Sequence, residues 1–259
     1  STSNPVNESI MELLIFIDSL KRGSAKSITV IAPYFGYSRQ DRKAQGRQPI
    51  TSKLIANIIE KAGATSMITF DLHAPQIQGF FDIPTDNLKA LSVIRKEIKK
   101  LKLKDIVVAS PDYGGLSRAR DFSKKLGQDT PIAAIDKVRF KKNTTKVNGV
   151  FGNVKNKNVI LVDDMIDTGG SIMKAAETFK LHGAKKVIIA CTHPVFSNGA
   201  AKKLNDCKFI DKVFVTDSIT MVKKYKKIEI VSLATFIADV IKAYKQHTSI
   251  SSIYNKYDK

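Results

Sequence analysis

The chain has 259 residues, 43% of them hydrophobic, and 43 basic against 24 acidic residues, giving a formal charge of +19. That length holds one large core or two modest ones, and the charge leaves nucleic acid, acidic lipid or anionic small molecules open as partners. No apolar run approaches the roughly 18 residues of a membrane span, and Ser1-Thr2-Ser3-Asn4-Pro5 lacks the basic and apolar regions of a signal peptide, so the expectation is a cytoplasmic chain with no membrane partner.

In chain order the hydrophobic pattern predicts a helix over Glu8–Arg22, a strand over Ile28–Ala32, a basic loop Tyr34–Lys43, a helix over Ile50–Ala62 and a strand over Met67–Asp71. A helix over Leu88–Leu101, a strand over Asp105–Ser110, a helix over Leu116–Leu126 and a strand over Ile132–Ile135 follow. Phe140–Gly149 is rich in Lys, Asn and Thr and reads as a mobile flap. Beyond it come a strand over Val159–Val162, a helix over Ile172–His182, strands over Val187–Cys191 and Val213–Thr216, and a helix over Phe236–Tyr244. Strands that are apolar throughout, alternating with amphipathic helices, predict an α/β fold of mostly parallel sheets flanked by helices on both faces.

A repeat reinforces this. Gly63-Ala64-Thr65-Ser66-Met67-Ile68 runs on to His73, and Gly183-Ala184-Lys185-Lys186-Val187-Ile188 runs on to His193 over the same spacing. Each copy reads as a helix closed by glycine, then a strand ending in histidine. The loop of the first copy is basic and that of the second acidic, although Gly-Ala pairs also recur by chance.

Lysine and arginine sort differently. Lysines such as Lys96, Lys99, Lys100, Lys102 and Lys104 are scattered over the predicted helices, as a solvated surface would have them. Arg39, Arg42, Arg47, Arg118, Arg120 and Arg139 fall in segments punctuated by Gly, Pro or Asp, where planar forks suit phosphate oxygens. That grouping counts against a nucleic-acid binder, which would show steeply salt-dependent duplex binding. Cys191 and Cys207 lack metal-type spacing, and a buried, reduced thiol is expected.

The densest chemistry lies in Val159–Ser171. An apolar strand ends in Asp163 and Asp164, then gives way to Asp167-Thr168-Gly169-Gly170-Ser171 and a helix. Paired glycines allow close backbone approach, and amides and hydroxyls at the helix start form an anion site. Asp163 and Asp164 would repel a bare phosphate, so they suit sugar hydroxyls or a magnesium-bound group beside it. The bland alternative is an acidic strand end followed by a glycine turn.

This string resembles the phosphoribosyl-binding loop of type I phosphoribosyltransferases and of ribose-phosphate pyrophosphokinases. Phe70–Pro84, Pro33–Lys43 and Ala109–Arg120 resemble the pyrophosphokinases and not the transferases, and the similarity runs from Ser1 to about Tyr254. The resemblance implies two phosphoribosyltransferase type I-like domains: residues 1–86, lacking the first strands, and residues 87–259, whose C-terminal tail can pack back on the first. It implies transfer of the pyrophosphoryl group of Mg-ATP to the 1-hydroxyl of ribose 5-phosphate, giving phosphoribosyl pyrophosphate and AMP. ATP would be held by Arg39, Gln40, Asp41 and Arg42, and Mg2+ by His73 and Asp112. Ribose 5-phosphate would be held by Asp163, Asp164, Asp167, Thr168, Gly169, Gly170 and Ser171, and Lys137 and Arg139 would act as catalytic cations on a closing flap. Val138 departs from the basic residue usual between them. No Gly-x-x-x-x-Gly-Lys string offers another phosphate loop. Self-association as a homo-oligomer, a hexamer built from dimers, is implied as well.

Family members carry a block ahead of the position matching Ser1, so the chain reads as N-terminally truncated relative to them, and turnover by this stretch alone stays open. An inert or regulatory relative that binds phosphoribosyl ligands is the alternative, with a nucleobase phosphoribosyltransferase behind it.

Overall fold

The computed structural model describes residues 1–127, 130–141 and 144–258, with the side chains of 136–141, 144–148, 254, 255 and 258 excepted. The chain divides into two compact units, Ser1–Lys89 and Ala90–Lys259.

The first unit opens with helix α1 (Val6–Arg22), which buries Ile10 and Ile17. Strands β1 (Thr29–Ala32), β2 (Ser66–Phe70) and β3 (Thr85–Leu88) form an all-parallel sheet in that order, and helix α2 (Thr51–Ala62) joins the first two. Gly63 ends α2 at φ 129°, a left-handed conformation that costs glycine little. The core gathers Ile17, Val30, Phe35, Ile55, Ile59, Met67, Ile77 and Phe81.

The second unit contains helix α3 (Leu91–Lys100), strand β4 (Ile106–Ser110), helix α4 (Leu116–Leu126), strands β5 (Ile132–Lys141), β6 (Thr144–Phe151) and β7 (Asn158–Ile166), and helix α5 (Gly170–Leu181). Strand β8 (Lys186–Pro194), helix α6 (Ala200–Asp206), strands β9 (Lys212–Thr216) and β10 (Ile228–Val231), and helices α7 (Ala234–Lys245) and α8 (Ser251–Asp258) complete it. Its seven-stranded sheet runs β10-β9-β8-β7-β4-β5-β6, parallel except for the antiparallel pair β5–β6.

Successive side chains of a strand point to opposite faces, and both faces of this sheet are covered. Val159 and Leu161 join a core with Ile172, Phe179, Val187 and Ile189. Ile160 and Val162 join another with Ile94, Ile98, Phe122 and Phe214. The strands therefore read as continuous apolar runs, as a sheet with two dry faces requires.

The two copies of the repeat are both strand, helix, parallel strand: β1–α2–β2 and β7–α5–β8. Gly63 and Gly183 both have positive φ, 129° and 87°. The histidines depart from the expected pattern. His193 is an internal residue of β8, buried and hydrogen-bonded to Ser218 Oγ at 2.9 Å, whereas β2 ends at Phe70 and His73 follows it, exposed.

Other boundaries moved for physical reasons. Leu88 closes β3 rather than opening α3, because it pairs with Phe70 and its carbonyl accepts from Asp71 N at 2.9 Å. The strand expected to end at Ile135 runs further: β5 continues to Lys141 and β6 returns antiparallel to it from Thr144 to Phe151. Its ladder of backbone bonds needs no apolar side chains, which hid it from a hydrophobicity reading. Cys191 is buried, Cys207 only partly so, and neither forms a disulfide. The C-terminal helix α8 contacts α3 and α7: Arg95 Nη2 donates to Tyr257 O at 3.0 Å, and the Tyr257 and Phe236 rings lie 4.7 Å apart, tilted by 42°. Among the described residues no helix is long and apolar enough to cross a membrane.

Candidate active site

The seven-stranded sheet fixes where ligands can sit. From β4 the chain builds outward through β5 and β6, returns to β7 beside β4, and builds the other way through β8, β9 and β10. Loops leaving the carboxyl ends of β4 and β7 diverge at that reversal and leave a crevice, the place where open α/β sheets bind ligands. The loop after β4 carries Asp112, and that after β7 carries Asp167, Thr168 and Gly169.

Asp163 and Asp164 lie within the last four residues of β7. Arg118, in the first turn of α4, reaches both: Nη1 donates to Asp163 Oδ1 and Nη2 to Asp164 Oδ1, each at 3.0 Å. The Asp164 side chain is 4% exposed and that of Asp163 20%, so both carboxylates have lost most of their water. Burial, and after it the Asp164 carboxylate, push the Asp163 carboxyl well above its ordinary range, and Arg118 pulls the other way. The same burial, with the two carboxylates behind it, pushes the Cys191 thiol up, which makes it an inert core residue. Arg118 was expected to be a fork for phosphate; its fork holds the acidic pair instead. Its role was missed because partners 45 residues apart give no local signal.

Gly169 caps α5 at φ 78°, and Thr168, Gly170 and Ser171 are exposed at that helix start, where the first amides of a helix have no partner within it. Asp167 accepts a hydrogen bond from Ser197 Oγ. Asp112 accepts from Gly115 N at 3.3 Å, which ties its carboxylate to the turn before α4. The structure thus brings Asp112, Asp163, Asp164, Asp167, Thr168, Gly169, Gly170 and Ser171 to adjacent loops of one unit. Lys137 and Arg139 lie on β5 beside β4, paired with Val147 and Thr145 with a register shift between Asp136 and Lys137. Their side chains lie outside the described residues.

In the first unit Arg39, Gln40 and Arg42 are exposed and Asp41 half-buried in the loop between β1 and α2. Both ends of that loop are tied down. Thr2 Oγ1 donates to Tyr34 O and accepts from Gly36 N, each at 2.7 Å, and Ser52 donates to Gln40 O through N at 3.2 Å and Oγ at 2.9 Å. His73 lies in the turn after β2, next to Leu72, whose N–H donates to Asn87 Oδ1 at 3.0 Å.

Comparison with known proteins agrees with this geometry. Residues 1–63 match the N-terminal domain of ribose phosphate pyrophosphokinase, and residues 85–229 match the phosphoribosyl transferase domain. The chain is 50% identical to a ribose-phosphate pyrophosphokinase of Mycoplasmopsis pulmonis over 99% of its own length and 80% of that protein's. It is 49% identical to one of Bacillus cereus over 98% of its length and 80% of that protein's. The crystal structure of phosphoribosylpyrophosphate synthetase from Mycobacterium smegmatis is similar with a TM-score of 0.87 and 41% identity, covering 95% of this chain and 80% of that one.

Proposed function

The chain belongs to the ribose-phosphate pyrophosphokinases, and we propose that it carries out their pyrophosphoryl transfer with ribose 5-phosphate held by the second unit and ATP by the basic loop of the first. The oxygen of the 1-hydroxyl of ribose 5-phosphate bonds to the β-phosphorus of ATP. The bond from that phosphorus to the oxygen bridging to the α-phosphorus breaks, AMP leaves on that oxygen, and the hydroxyl proton is released.

The observation that carries this reading is the Arg118 fork on Asp163 and Asp164 beside the start of α5. One spot offers amide and hydroxyl donors to the 5-phosphate through Thr168, Gly169, Gly170 and Ser171, and its neighbour offers carboxylate acceptors to the ring hydroxyls. The Arg118 guanidinium, bonded to both carboxylates, offsets part of the burial that pushes the Asp163 carboxyl up. Arg39, Gln40, Asp41 and Arg42 are the proposed ATP contacts. Lys137 and Arg139 are the proposed catalytic cations, neutralising charge that develops on the transferring group.

Magnesium keeps several waters and takes one or two protein ligands along with substrate phosphates, and an imidazole and a carboxylate are donors of that kind. His73 and Asp112 would hold it, and when bound it neutralises phosphate charge. Self-association is part of the reading, supported by Met11, Ile15 and Phe16 on α1 and Leu54 on α2, large apolar side chains 54% to 64% exposed.

The test is AMP formation from ATP that requires both magnesium and ribose 5-phosphate. Lys137→Ala is expected to lower kcat by about 10²–10³, the range for removing one donor from a charge-stabilising set. Wild-type chain that makes no AMP under these conditions sinks the reading, and full turnover in the variant removes Lys137 from it.

A further inference from the structure

The segment between β8 and α6 is shaped in an unusual way. Phe196 (φ 48°, ψ 39°), Asn198 (φ 52°, ψ 34°) and Gly199 (φ 72°, ψ 24°) are all left-handed. For a bulky residue such as Phe196 that conformation is an outlier, kept only where the surroundings over-determine it, and such outliers gather at functional sites.

Two hydrogen bonds tie it to the end of β7 and the loop that leaves it. Phe196 N donates to Ile166 O at 2.9 Å. Ser197 Oγ donates to Asp167 Oδ1. A Cβ on Gly169 would stand 3.5 Å from Ala200 Cβ and 3.6 Å from Leu204 Cγ, so the loop backs directly onto α6.

We infer that Ser197 is a positioning residue for sugar-phosphate binding, its hydroxyl fixing the Asp167 carboxylate while the left-handed turn holds the hydroxyl in place. Asp167 stands one residue ahead of the donors of Thr168-Gly169-Gly170-Ser171. A carboxylate free to rotate there would compete for those donors and repel an incoming phosphate. A hydroxyl bonded to Oδ1 fixes its rotamer and partly neutralises that oxygen. The inference rests on the proposed binding of ribose 5-phosphate by Asp163–Ser171.

The experiment measures ribose 5-phosphate affinity of the full chain by calorimetry, together with steady-state KM values and thermal midpoints. Ser197→Ala is expected to weaken ribose 5-phosphate about tenfold, as loss of one hydrogen bond to a charged group does, and to leave the KM for ATP and the midpoint unchanged. Ser197→Thr, which keeps the hydroxyl, should restore affinity. In an Asp167→Ala background, which lacks the acceptor, the Ser197→Ala change should add nothing, because the two act as one unit. Affinity within twofold of wild type in Ser197→Ala, failure of the threonine to restore it, or an equal loss in the Asp167→Ala background would each overturn the inference. A wild-type chain that binds no ribose 5-phosphate sinks the site reading, and this inference with it.

Discussion

Burial, with the Asp164 carboxylate behind it, raises the Asp163 carboxyl, and Arg118 opposes both. A buried carboxyl whose folded pKa is raised adds stability below its unfolded value, about 3.9, and loses that contribution as pH rises through the folded value. Once ionised, Asp163 therefore weakens the unliganded fold. Asp163→Asn should raise the thermal midpoint at alkaline pH by about 2–4 °C, what one kcal/mol does at this chain length. The gain should shrink toward pH 4, while ribose 5-phosphate affinity falls about 10²-fold; melts across pH and calorimetry check both. Arg118→Met removes the cation that lowers Asp163, so affinity for ribose 5-phosphate should rise with pH more steeply, and at higher pH, than in the wild type. At this scale the acidic cradle was legible because its residues are contiguous. Arg118 and Ser197 were not, since their partners stand 45 and 30 residues away in the chain.

β7 carries the site and the core together. Its first five residues are buried between the two faces of the sheet, and its last four bring the carboxylates to the crevice. Leu161 has no exposure, and Leu161→Ala should cost about 2–5 kcal/mol in denaturant unfolding, since the packed α5 face cannot collapse into the gap. Elements with strong periodicity were read nearly to their ends: α2 begins one residue later than expected and β9 one residue earlier. The β5–β6 hairpin was not read, because its pairing is a backbone matter between two polar segments. Nor was the turn at Phe196–Gly199, whose conformation is imposed by the β7 loop rather than by local preference.

Across the whole chain, the repeat pointed to two similar halves, and both contain a strand–helix–parallel strand unit. The end of the chain is held by Tyr257, whose hydroxyl donates to Asp239 Oδ2 at 2.9 Å. Burial and that bond push the phenol up to about 12. Its contribution is complete below the unfolded value of about 10 and is lost as pH rises through about 12, so α8 should detach over that window. Tyr257→Phe should flatten the dependence, followed by hydrogen exchange of α8 amides. Phe16, 63% exposed on α1, is the place to test self-association: Phe16→Asp should lower the mass seen by light scattering and leave the midpoint of the chain's melt within about 2 °C.

Among the described residues, the end of β7 and its loop bring the carboxylates Asp163, Asp164 and Asp167 together, with the Arg118 guanidinium on the first two. An anion arriving alone at the start of α5 meets the helix donors and leaves the neighbouring carboxylates without a partner among its own atoms. A molecule that brings hydroxyl groups along with its phosphate satisfies the acidic pair while the helix start takes the anion. The loop thus works as a two-key lock: inorganic phosphate carries one key, and a sugar phosphate carries both.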